Sequence, residues 1–333
     1  MNIYTLLKLN KLITNYRLKS FGVYLLHTLG KRYLSIYFDP VLGCNLRCRM
    51  CYFSDEEVRK SMNGVLPKER INLISNALFH RALKLQIGCG AEPSLYKYNT
   101  EIIAAAKSKG IPYISMTSNG NLLTKEDLHA FFAAGLNEIT LSMHGVYRET
   151  YEKLMTNASY DKFHAMLQAF TELKAQFPNV RLRINYTINQ DNLMELSDLF
   201  ELYQQYAIDI IQLRPIQKIG NSDYTNFSID SLIENYNQTI GKVSDLCKQR
   251  DITCIAPTLK LLTKESTKNN MLFENTYCYV SPKYAWQDDF DPETESYESY
   301  SKRVGFGKLL WRDIFRKKSD YNSDTRNLNY TVS

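Results

Sequence analysis

Three of the chain's seven cysteines, Cys44, Cys48 and Cys51, fall within the stretch GCNLRCRMCYF at residues 43–53. The other four, Cys89, Cys247, Cys254 and Cys278, are scattered. Thiolates at C-x3-C-x2-C spacing on one short loop suit a soft metal centre. A closed structural zinc site needs four ligands. The loop offers no fourth Cys or His, and the nearest histidines along the chain are His27 and His80. Two readings therefore stand. One is a three-cysteine centre with an open coordination position, as in an iron–sulfur cluster that keeps one iron for an outside ligand. The other is a zinc site completed by a distant residue.

The elements that must position this loop are legible from periodicity. Short β-branched or aromatic runs at 33–40, 83–90, 113–120, 138–145, 181–188 and 209–216 are bounded by Gly, Pro or Asn and read as strands. Between them, segments such as KERINLISNALFHRAL and YDKFHAMLQAFTELKAQF carry apolar residues at helical spacing, and Gly110 and Gly135 serve as helix stops. Six strand–helix repeats predict a parallel sheet with outer helices. Such sheets gather function at the C-terminal ends of their strands. That is where the cysteine loop, GCGAEP, TSNG and SMHG fall, after the first, second, third and fourth runs.

C-x3-C-x2-C just after a first strand resembles the signature of the radical S-adenosylmethionine (SAM) enzymes. The resemblance implies a partial (β/α)6 TIM-like barrel, here with an N-terminal helical segment and a small C-terminal α+β cap. It also implies a [4Fe-4S] cluster on Cys44, Cys48 and Cys51. In that family SAM chelates the fourth iron and is cleaved reductively to methionine and a 5′-deoxyadenosyl radical that removes a substrate hydrogen atom. GAEP at 90–93 is similar to the family's Gly-Gly-Glu-Pro, so Gly90, Ala91 and Glu92 are expected to shape the SAM pocket. Ala91 stands where the family has a second glycine and loses glycine's freedom in φ. TSNG at 117–120 resembles the third-strand motif. LSMHG at 141–145 makes Ser142 a ribose or carboxylate contact, and Asn185 matches a fifth-strand asparagine near the ribose. Met50 replaces a usual aromatic near the adenine, where its polarizable thioether can pack against a ring. A flavodoxin- or ferredoxin-type electron donor is implied as partner, with a peptide or small molecule as substrate. A radical SAM RNA-modifying enzyme and a non-catalytic zinc-binding protein on an α/β scaffold are the alternatives.

Composition bounds the rest. A 333-residue chain with 44% hydrophobic and 23% charged residues is ordinary for a globular protein. Its 24 tyrosines suit a core edge or a polar-substrate cavity equally. The net charge of +6 resides in residues 1–38, where Lys8, Lys11, Arg17, Lys19, Lys31 and Arg32 meet no acid. No basic run elsewhere suggests a nucleic-acid groove. Neither a signal-peptide core nor a transmembrane stretch is evident, so a cytoplasmic, reducing setting is expected. The expected organisation is a basic helical segment over 1–32, a core barrel over 33–228, a cap over 229–315 and a disordered tail over 316–333. The first segment either packs on the barrel or contacts an anionic membrane surface. The cap resembles a cluster-free version of the SPASM/twitch extensions seen in the family, because Cys247, Cys254 and Cys278 lack a paired C-x2-C. Buried thiols are expected for all three.

Overall fold

The computed structural model describes residues 15–216, 230–257 and 271–316, with the single positions 13, 222 and 259. The expected tail, beyond Arg316, and nearly all of the first fourteen positions lie outside the described residues. Nine strands run β1 Leu34–Phe38, β2 Ala82–Ile87, β3 Ile114–Ser118, β4 Glu138–Met143, β5 Arg181–Ile188, β6 Ile210–Pro215, β7 Thr253–Ile255, β8 Tyr277–Ser281 and β9 Tyr284–Ala285. The helices are α1 Tyr16–Thr28, α2 Glu56–Ser61, α3 Lys68–Leu78, α4 Asn99–Ser108, α5 Lys125–Ala134, α6 Arg148–Leu154 and α7 Tyr160–Leu173. They continue with α8 Leu199–Leu202, α9 Asp230–Glu234, α10 Lys242–Gln249, α11 Met271–Thr276, α12 Tyr297–Arg303 and α13 Phe306–Phe315.

The sheet order is β7-β6-β5-β4-β3-β2-β1-β8-β9, and every pairing is parallel except β8–β9. All six expected strands are present. β7 adds to one edge, beside β6. β8 was not foreshadowed. It joins β1 in parallel with Ile36 opposite Cys278 and Tyr37 opposite Tyr279. Much of the C-terminal region therefore extends the sheet. Its helices reach Tyr33 and Arg81, which lead into β1 and β2, so they lie at the strands' N-terminal ends, away from the barrel mouth. Cys247 and Cys278 are fully buried, whereas Cys254, in β7, is only half-buried.

Strand alternation divides the sheet into two unlike faces. Ile36, Leu85, Met116, Ile139, Leu141, Ile184 and Leu213 are fully or nearly fully buried in the main core. The alternate positions are polar. Lys84 Nζ donates to Gln86 (2.9 Å), Gln86 donates to Thr117, and Arg183 pairs with Glu138 (2.6 Å) and donates to Gln212 (2.9 Å). Lys84, Gln86, Thr117, Ser142, Asn185 and Gln212 all stay half-buried. A water-facing polar inner face on an otherwise buried parallel sheet is a place to receive a polar ligand.

Candidate active site

The cysteine loop leaves β1 through Asp39, which is 1% exposed. Its carboxylate accepts the amide N–H groups of Cys89 (2.6 Å) and Gly90 (3.0 Å) and the Tyr279 hydroxyl (2.9 Å). One buried side chain thus ties β1, the GCGAEP loop and β8 together. Burial pushes the Asp39 carboxyl up to about 6, against the opposing pull of those donors. The GCGAEP loop returns the connection: the Glu92 amide donates to Gly43 O (2.9 Å), and the Tyr52 hydroxyl donates to Gly90 O. On its far side the cysteine loop is pinned by Arg47 N to Thr156 O and Arg49 N to Leu154 O, both 2.9 Å.

Glu92 is 3% exposed and serves as a staple. It accepts from Ser94 N (3.1 Å), Ser94 Oγ (2.6 Å), Ser118 Oγ (2.6 Å) and Asn119 N (2.8 Å). Asn119 Nδ2 then reaches Asn45 Oδ1 in the cysteine loop at 2.8 Å. Three loops after β1, β2 and β3 are therefore one hydrogen-bonded unit. The glycine with demanding geometry is Gly88, at φ +76°, where a Cβ would stand 2.3 Å from Thr117 O. Ala91 is not among the positive-φ residues, so the departure from a second glycine costs no backbone strain. Gly88→Ala should lower unfolding stability by about 2–3 kcal/mol in urea titrations and Ala91→Gly by less than about 1.

The three thiols are half-buried neighbours. Burial pushes Cys44 up to about 12, with the charge of Glu92 next in size. Cys48 is raised by burial and then by Cys51 and Cys44. Burial also raises Cys51, against amides of Phe53 and Tyr52. Among the described residues no three His, Cys, Asp or Glu side chains converge tightly enough to hold a metal ion in these rotamers. The donor set nonetheless fits a cationic cluster. Three free thiols crowd one loop, each resisting ionisation in a way that a positive iron centre would reverse.

Across the mouth, Ser142 and Asn185 are register partners on the polar face of β4 and β5. Asn185 Oδ1 and His144 Nδ1 are buried atoms with no hydrogen-bond partner in the protein. Such atoms are costly unless something answers them, and here they flank the polar mouth. Burial pushes His144 down to about 4, which keeps its imidazole neutral near pH 7. Met50 is 5% exposed, packs with Leu154 and Ile216, and accepts from Asn189 Nδ2 (3.1 Å). Protein atoms thus already hold Met50. Asp39, Asn189 and Tyr279 were not singled out from the sequence, and Ser118 and Asn119 were marked only as part of TSNG. An acid ending an apolar strand, YFDP, was the one local signal available for Asp39.

An open, mostly parallel sheet with a three-cysteine loop after β1 has the architecture of a partial TIM-like barrel of the radical SAM type. Comparison agrees, since residues 39–202 match the Radical SAM superfamily. The chain is 29% identical over 201 residues to a protein named probable GTP 3′,8-cyclase from Saccharolobus solfataricus, covering 60% of this chain and 63% of that one. It is 28% identical over 202 residues to one of the same name from Metallosphaera sedula, covering 60% and 61%. The match thus spans less than two thirds of these relatives' length. Among solved structures, Streptococcus suis SuiB bound to S-adenosylmethionine superposes with TM-score 0.60 at 16% identity, covering 76% of this chain and 59% of SuiB. Native anSMEcpe with bound AdoMet gives 0.54 at 16% identity, covering 67% and 63%. Residues 39–202, just under half of the chain, match as a Radical SAM superfamily domain.

Proposed function

We propose that this protein is a radical SAM enzyme in which Cys44, Cys48 and Cys51 hold a [4Fe-4S] cluster and the strand ends hold SAM. The observation that carries the reading is the single hydrogen-bonded unit made by the loops after β1, β2 and β3, set beside the unanswered Asn185 Oδ1. When bound, the cluster and SAM supply one-electron cleavage chemistry and hydrogen-atom abstraction. The chain's own residues orient and shield. Asp39 and Glu92 fix the loop that carries Gly90 and Ala91, whose backbone faces the cysteine loop. Ser142 and Asn185 offer hydrogen-bonding groups to a ribose or carboxylate. Met50 closes one wall of the mouth, and His144, being neutral, offers a polar ring nitrogen without charge.

The substrate enters a face lined by Lys84, Gln86, Arg183, Gln212 and Arg214. Burial pushes Lys84 down to about 8, with Arg183 next in size. A polar substrate suits these groups, either a peptide or a small molecule. SuiB has been solved bound to the precursor peptide SuiA, and that structure superposes with TM-score 0.58. A flavodoxin or ferredoxin would deliver the electron near the cysteine loop.

Anaerobic reconstitution tests the proposal. About four iron and four sulfide per chain, with dithionite-dependent 5′-deoxyadenosine, is the expected result. Stoichiometric zinc without SAM cleavage would overturn it. Asn185→Ala should raise the Kd for SAM about tenfold through one lost hydrogen bond while leaving iron content unchanged. Equilibrium dialysis with labelled SAM provides the check.

A further inference from the structure

Helix α1 is amphipathic in the wrong sense for a helix that simply covers a core. Its inner side places Ser20 and Val23, both buried, against the protein. Its outer side exposes Leu18 (56%), Phe21 (42%), Leu25 (44%) and Leu26 (38%), and Leu29 (59%) follows at its C-cap. At 100° per residue these five span an arc of about 140°. Arg17 and Lys19 sit at the two margins of that arc, and α1 contains no acid.

The apolar surface continues onto α13, which packs against α1. Tyr24 and Trp311 meet with ring centroids 5.0 Å apart, and Trp311 meets Phe315 at 5.5 Å. Trp311 is 46% and Phe315 59% exposed. Lys308 and Arg312 share their side of α13, while its one acid, Asp313, is turned inward at 9% exposure. Between α1, α12 and α13 opens a cavity of about 830 Å³ lined by Arg81, Lys302, Lys308, Tyr24 and Trp311 among others. Arg81 is 3% exposed, stacks 4.7 Å from the Tyr297 ring centroid and leaves its Nε without a hydrogen-bond partner. The lining acid Glu298 is engaged with His80 at 2.7 Å. Exposed Leu, Phe and Trp ringed by basic residues are the complement of an anionic phospholipid surface. Among the described residues no helix is long and apolar enough to cross a membrane.

We propose that α1 and α13 form a membrane-docking face that lies in the plane of an anionic bilayer, with lipid phosphates drawn to the basic cavity between them. The face is at the N-terminal ends of β1 and β2, because Arg81, just before β2, lines the cavity and Tyr33, just before β1, bonds the lining residue Tyr297. Docking there leaves the cysteine loop and the mouth turned away from the lipid. The proposal stands independently of the chemistry at the mouth.

The full chain should be tested with vesicles of phosphatidylcholine containing phosphatidylglycerol, and with phosphatidylcholine alone. Partition onto the anionic vesicles should be at least about tenfold stronger and should weaken with salt. The chain has two tryptophans, and Trp286 is 3% exposed. Brominated lipids should therefore quench mainly Trp311, and the quenching should disappear in Trp311→Phe. Leu25→Gln with Phe21→Ser, both at exposed positions, should lower partition about tenfold without lowering Tm. No binding to anionic vesicles would overturn the proposal, as would binding unchanged by the paired substitution. Light scattering that shows a dimer dissociated by Leu25→Gln would assign the face to a second copy. Saturation by glycerol phosphate without vesicle partition would assign the cavity to a soluble anion. Either of these last two results also overturns it.

Discussion

Cys48→Ala, reconstituted anaerobically, should retain less than about a tenth of the wild-type iron and should form 5′-deoxyadenosine below about a hundredth of the wild-type rate. Loss of one of only three thiolates leaves two ligands on a loop that has no substitute donor nearby. Cys48 is the middle of the three proposed ligands, and its thiol feels both Cys51 and Cys44. The loop itself should survive, because Arg47 N, Arg49 N and Leu42 N anchor it through backbone bonds that do not involve any sulfur. Unchanged far-UV circular dichroism together with lost iron would separate a missing ligand from a misfolded chain. Iron retained at the wild-type level would refute the assignment of Cys48 as a ligand.

Asp39→Ala should cost roughly 4–6 kcal/mol in urea unfolding, because two backbone N–H groups and the Tyr279 hydroxyl lose a buried acceptor together. The pH dependence carries a sign that checks the same residue. The Asp39 carboxyl is raised from 3.8 to about 6, with burial the largest cause. Between about pH 4 and pH 6 the folded chain therefore keeps a proton that the unfolded chain has released. Stability contributed by this group is full below about pH 4, declines as pH rises through that window and is level above about 6. The change is about 3 kcal/mol. Asp39→Asn, which cannot ionise, should remove this decline, and the difference between the two chains isolates it from every other titrating group. A wild-type minus Asn difference that stays flat from pH 4 to pH 6.5 would show that Asp39 is not held in the protonated form.

Local pattern made much of the barrel legible. The run RLRINYTI at 181–188 coincides with β5 end to end, and its alternation of half-buried and buried residues is the alternation of polar and apolar types in the sequence. The helix stop at Gly135 is a left-handed cap at φ +112°, a conformation that glycine adopts cheaply. Strand β8 was missed for the opposite reason. TYCYVS is short and flanked by irregular polar sequence, and its partner β1 is roughly 240 residues away, as the Asp39–Tyr279 bond shows. Nothing within reach of a local window specifies such a pairing.

The sequence by itself determined the three-thiol loop, the order of motifs at successive strand ends and the parallel α/β class. All of these are set by residue type and spacing along the chain. The tertiary structure decided which residues hold that loop in place. Asp39 and Glu92 act through backbone amides that belong to other strands, and a buried carboxylate's partners are fixed only when distant segments are packed around it. It also decided that α1 turns its leucines outward. Apolar periodicity marks a stripe on a helix, but whether that stripe meets the core or the solvent depends on which side Ser20 and Val23 find to bury against.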